Sequence, residues 1–208
     1  MAQDAGDDVA ETDDWPVDLT GVTESVVATE GPNGKWNLAA LGLHAGEDGD
    51  PVTARTWGRT RTRINFDRRG ECVVQFTRDP LHFTEAALAV FERDDPVLDS
   101  ADAWARCSVE HVTTGDDGTT DWAAWNLFPE ESQVVRESVT PMNRATGAVV
   151  EATVAASRLD VPNYDTTTLR QRLSYFEAVV DRCGGPRERE AMARIGSLTD
   201  WKTENEWF

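Results

Sequence analysis

Apolar runs of strand length, separated by turn-forming residues, fill the first two thirds of the chain. Two of them, at 24–30 and 35–43, flank the sequence GPNG at 31–34, whose residue types supply the positive φ of a tight turn. This pattern predicts a β-hairpin. Similar runs predict strands over 52–58, 71–76, 104–113, 119–127 and 132–139. We therefore expect an antiparallel, tryptophan-rich sheet.

One segment inside this β-rich part has the spacing of a helix. Leu81, Leu88 and Phe91 fall near a 3.6-residue period, and Pro80 suits a first helical position that Asp79 can cap. The pattern predicts a helix over 80–92.

The sequence after Pro141 is mostly helical in pattern. Leucines and other apolar residues of 165–183 fall on one face, with two glycines as a stop, and Pro186 opens a further helix. The alanine-rich stretch 143–159 is predicted as a helix with Asn143 as its cap, although its valines are also compatible with a strand. We expect a small helical bundle here.

These elements divide the chain into four parts. The low hydrophobicity of residues 1–18 cannot offset the entropy of ordering, so we expect a disordered acidic leader there. A barrel-like domain is expected over 19–140, a helical region packed on it over 141–199, and a tail over 200–208.

The charge of the chain is strongly negative. It carries 38 acidic and 20 basic residues, for a net charge of -18, and only Lys35 and Lys202 of the basic residues are lysines. Hydrated carboxylates with few lysines suit molar salt, where the Debye length is about 3 Å. We expect a cytoplasmic protein of a halophilic archaeon; an ordinary acidic protein is the alternative. The charge argues against a nucleic-acid partner, and no apolar run of membrane-spanning length is present.

Common catalytic motifs are missing from the sequence. His44, His82 and His111 lack metal-binding spacing, the three cysteines lack CxxC spacing, and no nucleophile or phosphate-loop motif occurs. The sequence therefore predicts no metal site and no catalytic residue.

Four arginines stand close together in RTWGRTRTRINF at 55–66, which is the unusual feature of so acidic a chain. A continuous strand would place Arg59, Arg61, Arg63 and Asn65 on one face. Alternatively, the strand ends near Gly58 and Thr62 caps a short helix that runs to Gly70. The amides at such a helix start, with Thr60, Thr62 and an arginine beside them, would form an anion site suited to a phosphate.

The order of these segments resembles a known family. ESVVAT, NLAALGL, TRTRINF and CVVQFTRDPLHF, followed by a helix, resemble the flavin reductase-like split barrel, and more closely the archaeal family called domain of unknown function 447. NRATGAVVEATVAASRL and the helical tail resemble that family's carboxy-terminal region, so that the resemblance covers residues 21–197.

This resemblance implies an α+β fold: a six-stranded antiparallel split β-barrel that binds FMN, with a C-terminal helical region. A Thr-x-x-Asn element that grips the flavin phosphate maps onto Thr62 and Asn65, and Asn37 would lie beside the isoalloxazine. Thr60, Arg61 and Arg63 neighbour the same phosphate. The position that is Asn in many relatives is Gln75 here, and no role is assigned to it.

The resemblance also implies a homodimer with the flavin near the subunit interface. Because flavin itself supplies redox chemistry, no acid–base residue is required. The leading expectation is an FMN-dependent oxidoreductase or flavin reductase with a nicotinamide donor. A noncatalytic module that binds flavin or another phosphorylated ligand is the alternative, and a structural role, with the arginines paired to surface acids, is the third.

Overall fold

The computed structural model describes residues 14–46 and 49–202. Its strands are β1 (Val22–Glu30), β2 (Trp36–His44), β3 (Val52–Trp57), β4 (Glu71–Thr77), β5 (Phe91–Arg93), β6 (Ala101–Asp116) and β7 (Asp121–Val134). Its helices are α1 (Arg61–Arg69), α2 (Pro80–Leu88), α3 (Arg144–Ala156), α4 (Thr166–Cys183) and α5 (Pro186–Leu198).

Six of the strands form a closed antiparallel barrel in the order β1-β4-β6-β7-β3-β2, which the β1–β2 hairpin closes. The hairpin pairs Val22 with His44 at one end and Glu30 with Trp36 at the other. The contact between β2 and β3 is much shorter, since it consists of Leu43 with Ala54 and His44 with Thr53. The barrel is therefore split between these two strands.

Helix α1 fills one side of the barrel core. Phe66 is buried and packs edge-on against Trp125, at 5.2 Å between ring centroids. The indole Nε1 of Trp125 donates to Thr56 Oγ1 at 2.9 Å, so the polar edge of this buried ring is satisfied. The helix ends at Gly70, whose φ of 66° is the left-handed conformation that glycine adopts without strain.

The C-terminal helices form a second apolar cluster that continues onto the barrel. Leu81 and Leu88 of α2 pack against this cluster, while Val150 of α3 packs against the core beneath α2. Helix α2 is therefore shared between the barrel and the helical region. None of the described helices has both the length and the apolar character needed to cross a membrane.

Several predicted elements agree with the structure and others are corrected. The hairpin, the strands near 52–58 and 71–76, and the helices after Pro141 are confirmed, and the stretch 143–159 is helical over Arg144–Ala156. The helix predicted over 80–92 ends at Leu88, because residues 91–93 pair with β2 as β5.

The strands predicted over 119–127 and 132–139 are a single strand, β7. It ends at Val134, and residues 135–143 form no regular element. The expected disorder of the leader lies outside the described residues up to position 13. From there Trp15 packs edge-on against Phe76, at 6.5 Å between ring centroids.

Candidate functional site

The start of α1 has the geometry of an anion-binding site. Thr60 is the N-cap, and its Oγ1 accepts from the Arg63 amide at 3.2 Å. The first bond of the helical ladder runs from Ile64 N to Thr60 O, at 3.1 Å. The amides of Arg61 and Thr62 have no acceptor within the described part of the chain. They carry the positive end of the helix dipole and can bind an anion.

This geometry decides between the two interpretations of the arginine segment. Residues 61–69 are a helix, so the continuous strand is wrong. The predicted cap is also wrong by two residues, because Thr60 and not Thr62 caps the helix. Arg68 and Arg69 lie in the last turn of this helix, where the dipole favours positive charge.

A cavity of about 330 Å³ opens beside this helix start. Thr60 and Thr62 line one part of it, and Ala39, Ala40 and Leu41 of β2 line another. Helices α2 and α3 complete the wall with Phe83, Ala86, Thr153 and Val154, among other residues. The cavity therefore lies in the split of the barrel, under the C-terminal helical region.

The strand edge that faces this split is unpaired in its middle. On that side of β2, residues 36–38 pair with β5 and residues 43–44 pair with β3. Within the described chain, residues 39–42 have no neighbouring strand on this edge. Their backbone groups can therefore donate to and accept from the polar edge of a planar ligand, as they would for an added strand.

Asn37 contacts Thr62, which lines the cavity at its α1 end. Asn37 Nδ2 donates to Thr62 Oγ1 over 3.4 Å, and these residues are only 7% and 4% exposed. The Thr62 hydroxyl can still donate its own proton. Asn65 is also buried, but its Nδ2 donates to Thr29 Oγ1 at 3.0 Å and it does not line the cavity. The structure therefore places Asn65 between α1 and β1.

The predicted arginines have protein partners. Arg61 Nη1 forms an ion pair with Glu92 at 2.6 Å, and Arg63 Nη1 donates to Gly58 O at 3.4 Å. Arg55 and Trp57 of β3 also line the cavity and are among the lining residues that were not predicted from the sequence. The sequence shows that Arg55 and Trp57 lie on one face of β3, since they are two residues apart. Only the fold shows that this face borders a cavity.

The other end of the cavity contains a carboxylate. Glu24 lines the wall and is paired with Gly42 across the hairpin. Lost hydration and the nearby Glu151 carboxylate raise the pKa of Glu24 above its ordinary value. Asn37 and Gly42 are five residues apart on β2, or about 16 Å along an extended strand. The cavity thus has the start of α1 at one end, and at the level of Gly42 it has the Glu24 carboxylate, with Arg55 of β3 also on the wall.

Among the described residues, no group of three or more histidines, cysteines or acids is arranged to hold a metal ion. Cys72 of β4 and Cys107 of β6 are cross-strand neighbours in the barrel core, and both are buried. Contact with the Cys107 thiol and burial raise the pKa of Cys72 well above its ordinary value, which keeps this thiol protonated.

The barrel, its split and the helix at the split define a flavin reductase-like split-barrel fold. The FMN-bound protein MM1853 of Methanosarcina mazei has a similar structure, with a TM-score of 0.72 at 22% sequence identity. The match covers 86% of this chain and 96% of that one. A weaker similarity, with a TM-score of 0.41 at 15% identity, joins 58% of this chain to 83% of the flavin reductase HpaC complexed with NADP+.

The sequence assigns the family. The family described as Protein of unknown function (DUF447) matches with its N-terminal domain over residues 23–136 and with a second domain over 143–197. The chain therefore belongs to the DUF447 family, as the resemblance implied.

Proposed function

We propose that this chain binds FMN in the cavity, with the phosphate at the start of α1 and the isoalloxazine along residues 39–42 of β2. The observation that carries this proposal is the presence of a free helix start and an unpaired strand edge in one cavity. A phosphate suits the first, and the polar edge of a flavin ring suits the second. The similar protein MM1853 is FMN-bound, which supports FMN as the ligand of this fold.

The residues at the start of α1 have separate roles in binding the FMN phosphate. The Arg61 and Thr62 amides and the Thr60 and Thr62 hydroxyls hold the phosphate. Asn37 was expected beside the isoalloxazine, and in our proposal it instead orients the Thr62 hydroxyl. Arg61 and Arg63 lie beside this anion and add positive charge. Asn65 was predicted to contact the phosphate, and in our proposal it instead fixes α1 to β1.

Bound FMN would supply two-electron chemistry, and the protein would position and tune it. We propose that the chain is a flavin-dependent oxidoreductase or flavin reductase that takes hydride from a nicotinamide nucleotide. The competing function is a noncatalytic module that stores flavin or holds another phosphorylated ligand.

Flavin content tests the binding proposal. Protein purified in high salt is denatured, and its supernatant is assayed for flavin by absorbance and fluorescence. Stripped protein is then titrated with FMN. We expect either bound FMN on purification or saturable uptake at one site per chain. A colourless protein that takes up no added FMN would contradict the proposal.

Reduction of the bound flavin separates the enzyme from the store. The FMN complex is mixed anaerobically with NADH or NADPH, and the absorbance of oxidised flavin is followed. A catalyst loses this absorbance within seconds and regains it on turnover with an acceptor. A store keeps it over the same time although dithionite bleaches it.

We also propose a homodimer with the cavity near its interface, since the cavity is open beside the exposed Trp57. Light scattering in molar salt tests this assembly, and a monomer at micromolar concentration would contradict it.

The acidic, lysine-poor composition and the free cysteines support a cytoplasmic protein of a halophilic archaeon. The divisions at 18, 140 and 199 remain our proposed domain boundaries.

A further inference from the structure

Arg55 projects from the middle of β3 and lines the cavity. Its guanidinium carbon lies 4.3 Å from the centroid of the Trp122 ring and 5.7 Å from that of Trp57. Stacking of this kind holds a guanidinium in place by its flat face and leaves its N–H edge free to donate. Arg55 is therefore fixed by aromatic contacts, with its donors available.

The Trp122 indole, on which Arg55 stacks, is itself held in a defined position. Trp122 is paired with Trp57 on β3 and with Gly115 on β6. A Cβ atom at residue 115 would lie 2.5 Å from Trp122 Cζ2, closer than a side chain permits. Only glycine at this position lets the indole lie flat over β6, where it supports the guanidinium.

Arg55 has no carboxylate partner within the described residues, although the chain has 38 acids. Arginines nearby do have such partners: Arg61 pairs with Glu92 and Arg69 with Glu30. Glu24 lines the same cavity and forms no ion pair with Arg55. A held but unpaired cation at a cavity wall is suited to a negatively charged ligand group.

The position of Arg55 along the cavity separates it from the proposed phosphate. Because Ala54 pairs with Leu43, Arg55 follows at the level of Gly42. The α1 end of the cavity is marked by Asn37, which contacts Thr62. These two levels are five residues apart along β2, or about 16 Å. Arg55 therefore faces the part of the ligand that is remote from the phosphate.

We infer that Arg55 contacts the pyrimidine edge of the bound flavin and stabilises the negative charge which that ring acquires on reduction, with Trp122 as its positioning residue. This inference rests on the proposed FMN binding. Transfer of a hydride from the nicotinamide donor adds two electrons and one proton to the neutral oxidised ring, which becomes a monoanion. A guanidinium at that edge binds the reduced ring more tightly than the oxidised one.

The test compares the midpoint potential of bound FMN in the wild type and in Arg55→Met. We expect the variant to lose about tenfold more affinity for reduced than for oxidised FMN, which is a potential more negative by about 30 mV for two electrons. Arg55→Lys keeps the charge and should fall between the two. Trp122→Leu should shift the potential in the same direction as Arg55→Met, by less. Circular dichroism checks the fold of each variant.

Arg68→Met is the matched control, because it also removes an exposed arginine, from the last turn of α1 at the end away from the cavity. Its potential should equal that of the wild type. The affinities for FMN and riboflavin give a second readout: Arg55→Met should weaken both by the same factor, since the contact is to the ring.

Three outcomes would overturn this inference. An unchanged potential in Arg55→Met would remove the contact with the reduced ring. A loss of affinity confined to FMN would place Arg55 at the phosphate instead. Wild-type protein that takes up no flavin would overturn the proposed function and this inference together, whereas the first two results leave the proposed function intact.

Discussion

Thr60 and Thr62 differ in role although they are neighbours in a repeated Thr-Arg pattern. Thr60 is exposed and caps α1, while Thr62 is buried in the first turn beside Asn37. The sequence could not separate them, since the third helical residue is Arg63 and not the glutamate that would mark a capping box. The structure separates them by burial.

Replacement of Thr60 tests the phosphate site at its most accessible hydroxyl. Thr60→Ala should lower FMN affinity about tenfold and leave riboflavin affinity unchanged, because riboflavin has no phosphate. Loss of the cap should also lower the free energy of unfolding by about 1 kcal/mol. Isothermal titration with both ligands, at matched salt, measures the first effect.

Thr60→Ser is the control for this variant, because serine keeps the hydroxyl and the cap. It should bind FMN like the wild type. An equal loss for FMN and riboflavin in Thr60→Ala would show that the helix start does not hold the phosphate.

Gln75 has a structural task that its position in a strand does not reveal. Its side chain is fully buried, its Nε2 donates to Pro96 O at 2.8 Å, and its Oε1 accepts from Leu98 N at 2.7 Å. The amide therefore fixes the turn between β5 and β6. Sequence alone could not assign this role, because the partners are main-chain groups more than 20 residues away.

Gln75→Leu should lower the free energy of unfolding by about 2–4 kcal/mol, since the buried Leu98 amide and the partly buried Pro96 carbonyl lose their partner. Urea unfolding measures this change. FMN binding should be unaffected under conditions where the variant is folded, because Gln75 does not line the cavity. A change below about 0.5 kcal/mol would mean that the turn finds other partners.

At the scale of elements, the helices after Pro141 and the first hairpin were predictable because their signals are local. The errors have physical causes. Strand β5 has three residues, too few for a periodic signal, and forms because β2 has a free edge. Strand β7 was predicted as two strands. It is continuous through Pro129 because the β6–β7 register shifts at Arg106/Cys107, beside the Cys107–Pro129 pair.

The cavity illustrates the same limit. The helix-start segment was identified from its threonines and arginines, which are close together in the chain. The stack of Arg55 on Trp122 depends on pairing between β3 and β7, which are separated by more than 60 residues. No local pattern indicates which tryptophan lies under which arginine.

The junction between the barrel and the helical region includes a charged cluster. Asp102, at the start of β6, accepts from Arg78 Nη2 at 2.9 Å and from Arg136 Nη1 at 3.1 Å. Arg78 also donates to Thr140 Oγ1 at 2.9 Å, so the cluster holds the segment that leads to α3. The hydrogen bond from Arg78 is the main cause that holds the pKa of Asp102 below its ordinary value.

This shift predicts a pH dependence. A carboxylate whose pKa is lowered in the folded protein stabilises it above the unfolded pKa, near 3.9, and loses that contribution as the pH falls through the folded value. Asp102→Asn should therefore lower the free energy of unfolding by about 1 kcal/mol at pH 7 in low salt. The difference in the free energy of unfolding between the variant and the wild type should shrink below about pH 4. A deficit that is constant with pH would assign the effect to packing.

At the scale of the whole molecule, the net charge governs how the stability of the fold depends on salt. A charge of -18 on 208 residues opposes the compact state through repulsion, and salt screens this repulsion. We predict that the unfolding temperature rises as KCl is increased from about 0.1 M to about 2 M. Differential scanning calorimetry measures it. A temperature that is flat or falls over this range would contradict salt adaptation.

The central claim joins the two halves of the cavity: phosphate at the start of α1, ring along the free edge of β2. A crystal structure of the chain with FMN tests it most directly. We predict the phosphate oxygens within hydrogen-bond distance of the Arg61 and Thr62 amides, with the ring against residues 39–42. Flavin bound with its phosphate elsewhere, or a cavity that stays empty at saturating FMN, would contradict the account.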